Sequence, residues 1–113
     1  MQRLWVVVLL VGLAGGIGWA QWQPGIIHCH TKYSADGINT VEEIWRDGRT
    51  QGLKFVAITD HFDSLTPESL VQLMDECQEL SSQGDPVLLP GVEMTVTSTD
   101  HLRHLLLLLC QDE

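Results

Sequence analysis

Four short segments of the sequence carry residue types that bind metal ions in proteins. They are the pair His28 and His30, the dipeptide Asp60–His61, the acidic residue Glu93, and the pair His101 and His104. A single His-x-His pair is more often an ordinary surface feature. Here, however, the first three segments lie at the ends of predicted strands, where the functional sites of α/β folds collect, and the fourth leads into the last predicted strand. Imidazole and carboxylate ligands together suit zinc, manganese or iron rather than calcium.

The elements that must position these residues follow from the apolar pattern. Strands are predicted at 26–30, 55–59, 87–96 and 105–109, all short and apolar. Thr40 with Glu43 predicts a capping box at the start of one helix, and Thr66–Pro67 predicts the start of a second. The order β-α-β-α-β-β indicates the α/β class, with a parallel sheet covered on both faces and 105–109 as a buried last strand. In a strand at 26–30, His28 and His30 would point to the same face.

The start of the chain differs from the rest. A basic residue, Arg3, precedes an apolar run at 4–17, and small residues lead to Ala20. This layout predicts a hydrophobic helix that acts as a signal peptide at 1–20, with an uncleaved membrane anchor as the alternative. Residues 21–25 are predicted as a linker and 26–113 as the domain. We therefore expect an exported protein, periplasmic or secreted, that meets a membrane only if the N-terminal segment stays attached.

Charge and cysteine content narrow the choice of function. The formal net charge of −9 argues against nucleic acid as a partner, because phosphate neutralisation needs a cationic face. Three cysteines, Cys29, Cys77 and Cys110, allow at most one disulfide and show no zinc-knuckle spacing. We expect Cys29 and Cys77 to pack as small hydrophobic residues.

Four motifs together resemble the polymerase-and-histidinol-phosphatase (PHP) superfamily of metal-dependent phosphoesterases. The motifs are HCHTKYSADG at 28–37, ITDH at 58–61, PGVE at 90–93 and HLL at 104–106. The resemblance covers 26–109 and implies the N-terminal half of a distorted (βα)7 barrel that binds up to three divalent metal ions. It also implies the hydrolysis of a phosphorylated small-molecule substrate.

The resemblance assigns the metal ligands residue by residue. His28, His30 and Glu93 would bind the first ion, Glu93 would bridge to a second ion held by His104, and Asp36 and His61 would bind a third. His104 is preferred over His101 because the family spacing and strand geometry favour it. Asp60 is the candidate catalytic-site residue, orienting a ligand from behind; the alternative is that it only caps a strand end.

Three charged residues near the motifs have two interpretations each. Lys32 and Arg103 could meet a substrate phosphate, although flanking cations are more often solvated charges. Asp63 could face the substrate or form a turn.

The family's later ligands, a histidine and an Asp-x-His pair, have no counterparts before Glu113. We therefore expect a fragment of a longer enzyme, with little or no activity alone. The alternatives are a short exported protein that pairs with another chain through the open edge of 105–109, a metal-binding or assembly module without catalysis, and histidines that bind no metal.

Overall fold

The computed structural model describes residues 21–97, 99 and 101–109. In these residues two helices lie against a four-stranded sheet. The strands are β1 (Gly25–Ile26), β2 (Phe55–His61), β3 (Val87–Thr97) and β4 (Leu102–Leu108), and the helices are α1 (Val41–Thr50) and α2 (Pro67–Ser81). A short 3-10 turn, Phe62–Ser64, follows β2. The element order and the α/β class agree with the sequence, and the curved sheet corresponds to part of a barrel.

The strands follow one another across the sheet in chain order. β1, β2 and β3 are parallel, and their register places His61 beside Glu93. β4 is antiparallel to β3, with His104 opposite Thr95. The prediction of an all-parallel sheet is therefore wrong for the last strand. Only four residues separate β3 from β4, and a parallel connection needs about a dozen or more.

The main core lies between the helices and one face of the sheet. Trp45 of α1 and Leu73 of α2 are buried there against Val56 and Ile58 of β2. Cys77 belongs to the same core, and Cys29 packs against it, as predicted. Burial raises the pKa of the Cys77 thiol to about 12, so this residue is a neutral hydrophobic side chain at physiological pH. Because side chains alternate along a strand, the other face of the sheet carries Thr59, His61 and Glu93.

Two of the predicted strands differ from expectation. β1 has two residues instead of the predicted 26–30, although the Thr59 N–H still donates to the Cys29 carbonyl, in line with the β1–β2 register. Side-chain hydrogen bonds, described below, replace the rest of the ladder. The apolar run at 105–109 is not buried, although its composition alone predicts burial, but forms the open edge that the half-barrel implies. β4 is exposed along its whole length and is one of the two edge strands among the described residues.

Both helices start as the sequence predicts. The Glu43 N–H donates to Thr40 Oγ1 at 3.1 Å, and the Thr40 N–H donates to Glu43 Oε2 at 2.8 Å. Thr66 and Ser69 form the same reciprocal pair at the start of α2. These bonds satisfy amide groups that otherwise lack a partner in the first helical turn.

We expect Thr40→Ala to lower the free energy of unfolding by about 1 kcal/mol, because the first turn of α1 loses its cap. Thr50→Ala is the matched control, since Thr50 is exposed at the other end of α1 and donates only to the Arg46 carbonyl. Its effect should stay within about 0.5 kcal/mol. Urea denaturation of both variants measures the difference, and equal losses would contradict the assignment of the cap.

The predicted hydrophobic helix and signal peptide at 1–20 lie outside the described residues, so this part of the sequence analysis stays a prediction. Neither of the two helices that the structure describes is long and apolar enough to cross a bilayer.

Candidate metal centre

Glu93 is the centre of a cluster of histidines. It lies on β3 beside the end of β2, and its side chain is 4% exposed. Its Oε2 atom lies 2.7 Å from His30 Nε2, 3.5 Å from His61 Nδ1 and 3.7 Å from His28 Nε2. A carboxylate withdrawn from water needs compensating partners, and here the partners of Oε2 are three imidazoles from two separate segments.

The second oxygen of Glu93 faces a different strand. Its Oε1 atom lies 2.7 Å from His104 Nδ1. The antiparallel pairing produces this contact, because His104 stands opposite Thr95, which shares the Glu93 face of β3. One oxygen of Glu93 thus faces three imidazoles and the other faces the His104 ring, the arrangement that a bridging carboxylate requires. The structure places His104 next to Glu93 on an antiparallel strand, and its predicted role as a metal ligand stays a prediction.

A second group of potential ligands overlaps the first. Asp36 Oδ2 lies 3.1 Å from His61 Nε2 and 3.1 Å from His30 Nδ1. Ligand atoms of His30, Asp36 and His61 lie within 4.8 Å of one another, as do those of His28, His30 and Glu93. The structure therefore brings together the six predicted ligands, His28, His30, Asp36, His61, Glu93 and His104, in one continuous cluster.

Thr59 orients the first histidine of the cluster. Its Oγ1 atom lies 2.6 Å from His28 Nδ1, which leaves Nε2 on the side of Glu93. Hydrogen bonds of this kind fix the ring orientation of metal-binding histidines. Thr59 was not predicted as a site residue, although its position two residues before His61 on the same strand face was a usable signal.

Asp60 lies beneath the cluster, on the opposite side of β2 from His61. It is fully buried, and its carboxylate accepts hydrogen bonds from the Thr31 N–H at 2.6 Å, the Thr31 hydroxyl at 2.7 Å and the Ser34 hydroxyl at 2.7 Å. Ser34 Oγ in turn accepts from the His61 N–H. Asp60 thus ties the 31–36 loop, which carries Asp36 at its end, to the strand that carries His61. Its predicted role in orienting ligands stays a prediction.

The same loop depends on a glycine. A Cβ atom at Gly37 would collide with the Thr31 carbonyl. Gly37 is therefore required by the close approach of the chain to itself, and this approach places Asp36 next to His30.

Asp36 and His61 shift each other's proton affinity. Desolvation works to raise the pKa of Asp36, but its hydrogen bonds with His61 and His30 outweigh desolvation and lower the pKa. The hydrogen bond with Asp36 raises the pKa of His61 above its ordinary value of 6.5, against a smaller opposing effect of desolvation.

We therefore expect His61 in the metal-free protein to gain its proton at a pH above 6.5, and to return towards 6.5 in Asp36→Asn. Because a metal ion binds the neutral imidazole, we expect this group to release its metal at a higher pH than an unperturbed histidine would. NMR titration of the His61 ring measures the midpoint. An unchanged midpoint in Asp36→Asn would contradict the role of Asp36.

The three charged residues near the motifs, Lys32, Arg103 and Asp63, occupy different positions relative to the cluster. Lys32 lines a separate cavity with Tyr33 and Glu76. Arg103 stands opposite Val96, so the pleat directs it to the face opposite His104. Asp63 follows the cluster directly and lines a cavity beside Glu93. Of the three, Asp63 is the one that the structure places next to the candidate site.

The donor set fits divalent transition-metal ions. It combines imidazole nitrogens with carboxylate oxygens, and it includes both oxygens of the buried Glu93. The rings are closely packed, with centroid separations of 4.8 Å between His28 and His30 and 4.4 Å between His30 and His61. A shared cation would draw the ligand atoms of these rings together.

Comparisons with known proteins point in the same direction. The family profile of the PHP domain matches residues 27–113. A solved structure from Bifidobacterium adolescentis ATCC 15703, described as that of a candidate metal-dependent phosphoesterase, is 36% identical with a TM-score of 0.60. The alignment covers 76% of this chain and 27% of that protein, so the chain spans about a quarter of its length. No curated protein matches the sequence significantly.

Proposed function

The chain belongs to the PHP domain family, and from this premise we propose that its metal centre serves the hydrolysis of phosphoesters. The observation that carries the proposal is Glu93, whose two carboxylate oxygens contact histidines on both sides. One carboxylate shared between two imidazole sets suits a site with more than one metal ion. Such sites stabilise the attacking and leaving oxygens in displacement at phosphorus.

In this proposal the described residues bind the metal ions and orient the metal ligands. His28, His30 and Glu93 would hold one ion, Glu93 and His104 a second, and Asp36 with His61 a third. When bound, such ions neutralise charge on phosphoryl oxygens and lower the pKa of a bound water. We propose zinc, manganese or iron as the ions, on the ground of the mixed imidazole and carboxylate donors.

The supporting residues keep these donors in place. Thr59 holds the His28 ring, and Asp60 holds the loop between His30 and Asp36 through Thr31 and Ser34. In this proposal Asp60 is a positioning residue. Its carboxylate bonds to the loop and does not face the imidazole rings.

Because the chain spans about a quarter of the solved relative, we propose that this domain contributes its metal site to a longer phosphoesterase. Export through the segment at 1–20 would place that enzyme outside the cytoplasm. Phosphorylated small molecules would then be its substrates, since the net charge of −9 disfavours nucleic acid.

The test measures metal content and phosphatase activity together. The protein is purified without added chelator, its zinc, manganese and iron are quantified, and hydrolysis of 4-nitrophenyl phosphate is followed for the chain and for the longest reading frame that contains it. Metal above one ion per chain with hydrolysis supports the proposal. Metal without hydrolysis in either protein would favour a metal-binding module instead, and absence of metal after loading would overturn both.

A further inference from the structure

The His30 ring lies between two carboxylates and contacts each of them through a different nitrogen. Its Nε2 atom lies 2.7 Å from Glu93 Oε2, and its Nδ1 atom lies 3.0 Å from Asp36 Oδ1 and 3.1 Å from Asp36 Oδ2. Both groups of potential metal ligands include this ring. A neutral imidazole binds a metal ion through one nitrogen and carries a hydrogen on the other. As a neutral ligand, His30 therefore cannot serve both groups at once.

The surroundings of Glu93 favour Nε2 as the metal-binding atom of His30. The Glu93 side chain is 4% exposed and that of Asp36 is 56% exposed, so Glu93 has the greater need for a cation in place of water. Thr59 contacts His28 Nδ1 at 2.6 Å, which leaves only His28 Nε2 on the side of Glu93. An ion bound by Glu93 would thus meet the Nε2 atoms of both His28 and His30.

The other nitrogen of His30 then carries the hydrogen and faces Asp36. Both oxygens of Asp36 lie within hydrogen-bond distance of this nitrogen, but only Oδ2 also contacts His61, at 3.1 Å from its Nε2 atom. Oδ1 can therefore accept from His30 while Oδ2 remains available beside His61. A carboxylate that accepts from the free N–H of a metal-binding histidine fixes the tautomer and the orientation of the ring.

The backbone around Asp36 holds its carboxylate in this position. The Ser34 N–H donates to the Thr31 carbonyl at 3.0 Å, and the Gly37 N–H donates to the Ser34 carbonyl at 3.2 Å. These two consecutive turns bring Asp36 back towards the segment that begins with His30. The contact between the two side chains is therefore supported by the fold of the loop.

We propose that His30 binds only the ion at Glu93, through Nε2, and that Asp36 is its positioning residue, with Oδ1 accepting the Nδ1–H. Asp36 then acts on two ions. It orients a ligand of the first ion through Oδ1, and it binds the third ion, together with His61, through Oδ2. The inference rests on the proposed function, since it takes the cluster to bind metal ions, but it requires no hydrolysis.

NMR of the zinc-loaded, isotope-labelled chain tests which nitrogen binds the ion, because metal-bound and protonated ring nitrogens differ in chemical shift. We expect His30 to show a zinc-bound Nε2 and a protonated Nδ1 whose hydrogen exchanges slowly with water. In Asp36→Ala this hydrogen should exchange about 10-fold faster or more, because it loses a charged acceptor. Zinc at Nδ1, alone or together with Nε2, or no change of the His30 ring when zinc is added, would overturn the inference.

Zinc titration, followed at the His28 ring, separates the positioning role of Asp36 from its role as a ligand. Asp36→Ala should lower the affinity for the first ion by about 10-fold or more, the usual effect of losing an orienting partner. Asp36→Asn should lose less, because its amide oxygen still accepts the Nδ1–H. His61→Ala removes the other ligand of the third ion and should leave this affinity nearly unchanged. Asp47→Ala, at an exposed position of α1, is the control for the loss of one carboxylate and should have no effect.

Equal losses in Asp36→Ala and His61→Ala would show that Asp36 acts through the third ion, and would overturn the inference. Failure of the inference and failure of the proposed function remain distinguishable. Zinc at His30 Nε2 without hydrolysis of 4-nitrophenyl phosphate would support the inference and count against the proposed function, whereas hydrolysis with zinc at His30 Nδ1 would do the reverse. Melting temperatures confirm that each variant is folded, and the NMR measurement on the parent chain needs no variant.

Discussion

Replacing Glu93 by glutamine should lower the affinity of the chain for manganese or zinc by at least about 100-fold. Loss of a residue that merely orients a metal ligand costs about 10-fold to 100-fold, and Glu93 contacts four histidines itself. Glutamine keeps the shape of the side chain but removes its charge and one acceptor oxygen. The amide would present N–H groups to rings that need a metal-binding oxygen between them.

Isothermal titration of the metal-free protein measures this effect. Glu79→Gln is the matched control, because it makes the same chemical change at an exposed position of α2. We expect its metal affinity to equal that of the parent. If Glu93→Gln bound metal as tightly as Glu79→Gln, Glu93 would not be a ligand, and the bridging arrangement would be wrong.

Replacing Asp60 by alanine should lower the free energy of unfolding by about 3 kcal/mol. The substitution leaves the Thr31 N–H and the hydroxyls of Thr31 and Ser34 buried without their acceptor. Each such unsatisfied group costs about 1–3 kcal/mol, and hydroxyls can partly recover by rotation. The loop would separate from β2, so metal affinity at the Asp36 and His61 group should fall as well.

Urea denaturation and metal titration together test the role of Asp60. Asp60→Asn keeps one acceptor oxygen, so it should recover part of the stability and part of the metal affinity. Asp75→Ala, which removes an exposed carboxylate from α2, should change the stability by no more than about 0.5 kcal/mol. A loss of stability in Asp60→Ala with unchanged metal affinity would show that Asp60 supports the fold without positioning the ligands.

Local patterns in the sequence were sufficient for the helices and for the middle strands. The capping box at Thr40 is formed as predicted, and α2 begins after Thr66 as predicted, because these signals depend on residues close together in the sequence. The direction of β4 was predicted wrongly, since apolar composition does not distinguish parallel from antiparallel pairing. The four-residue connection from β3 contained that information. The exposure of β4 followed from the family resemblance, which implied half a barrel with an open edge, and not from the apolar composition of the strand, which predicted burial.

The candidate ligands could be predicted from the sequence, but the contacts that support them could not. The residue types and their order along the chain indicated a metal site, and the structure brings His28, His30 and Glu93 together. Thr59 and Ser34 act across 31 and 27 positions of sequence, and hydroxyl residues are too common for such pairings to stand out.

The two ligand groups differ in how much of the polypeptide they need. His30, Asp36 and His61 all lie within the first 61 residues, and the loop that joins them is fastened to β2 by Asp60. A ribosome that has exposed residue 61 has therefore already supplied every donor of that group. Glu93 and His104 emerge later, so nascent chains halted between these points would contain one complete set of donors and lack the residue that joins it to the other.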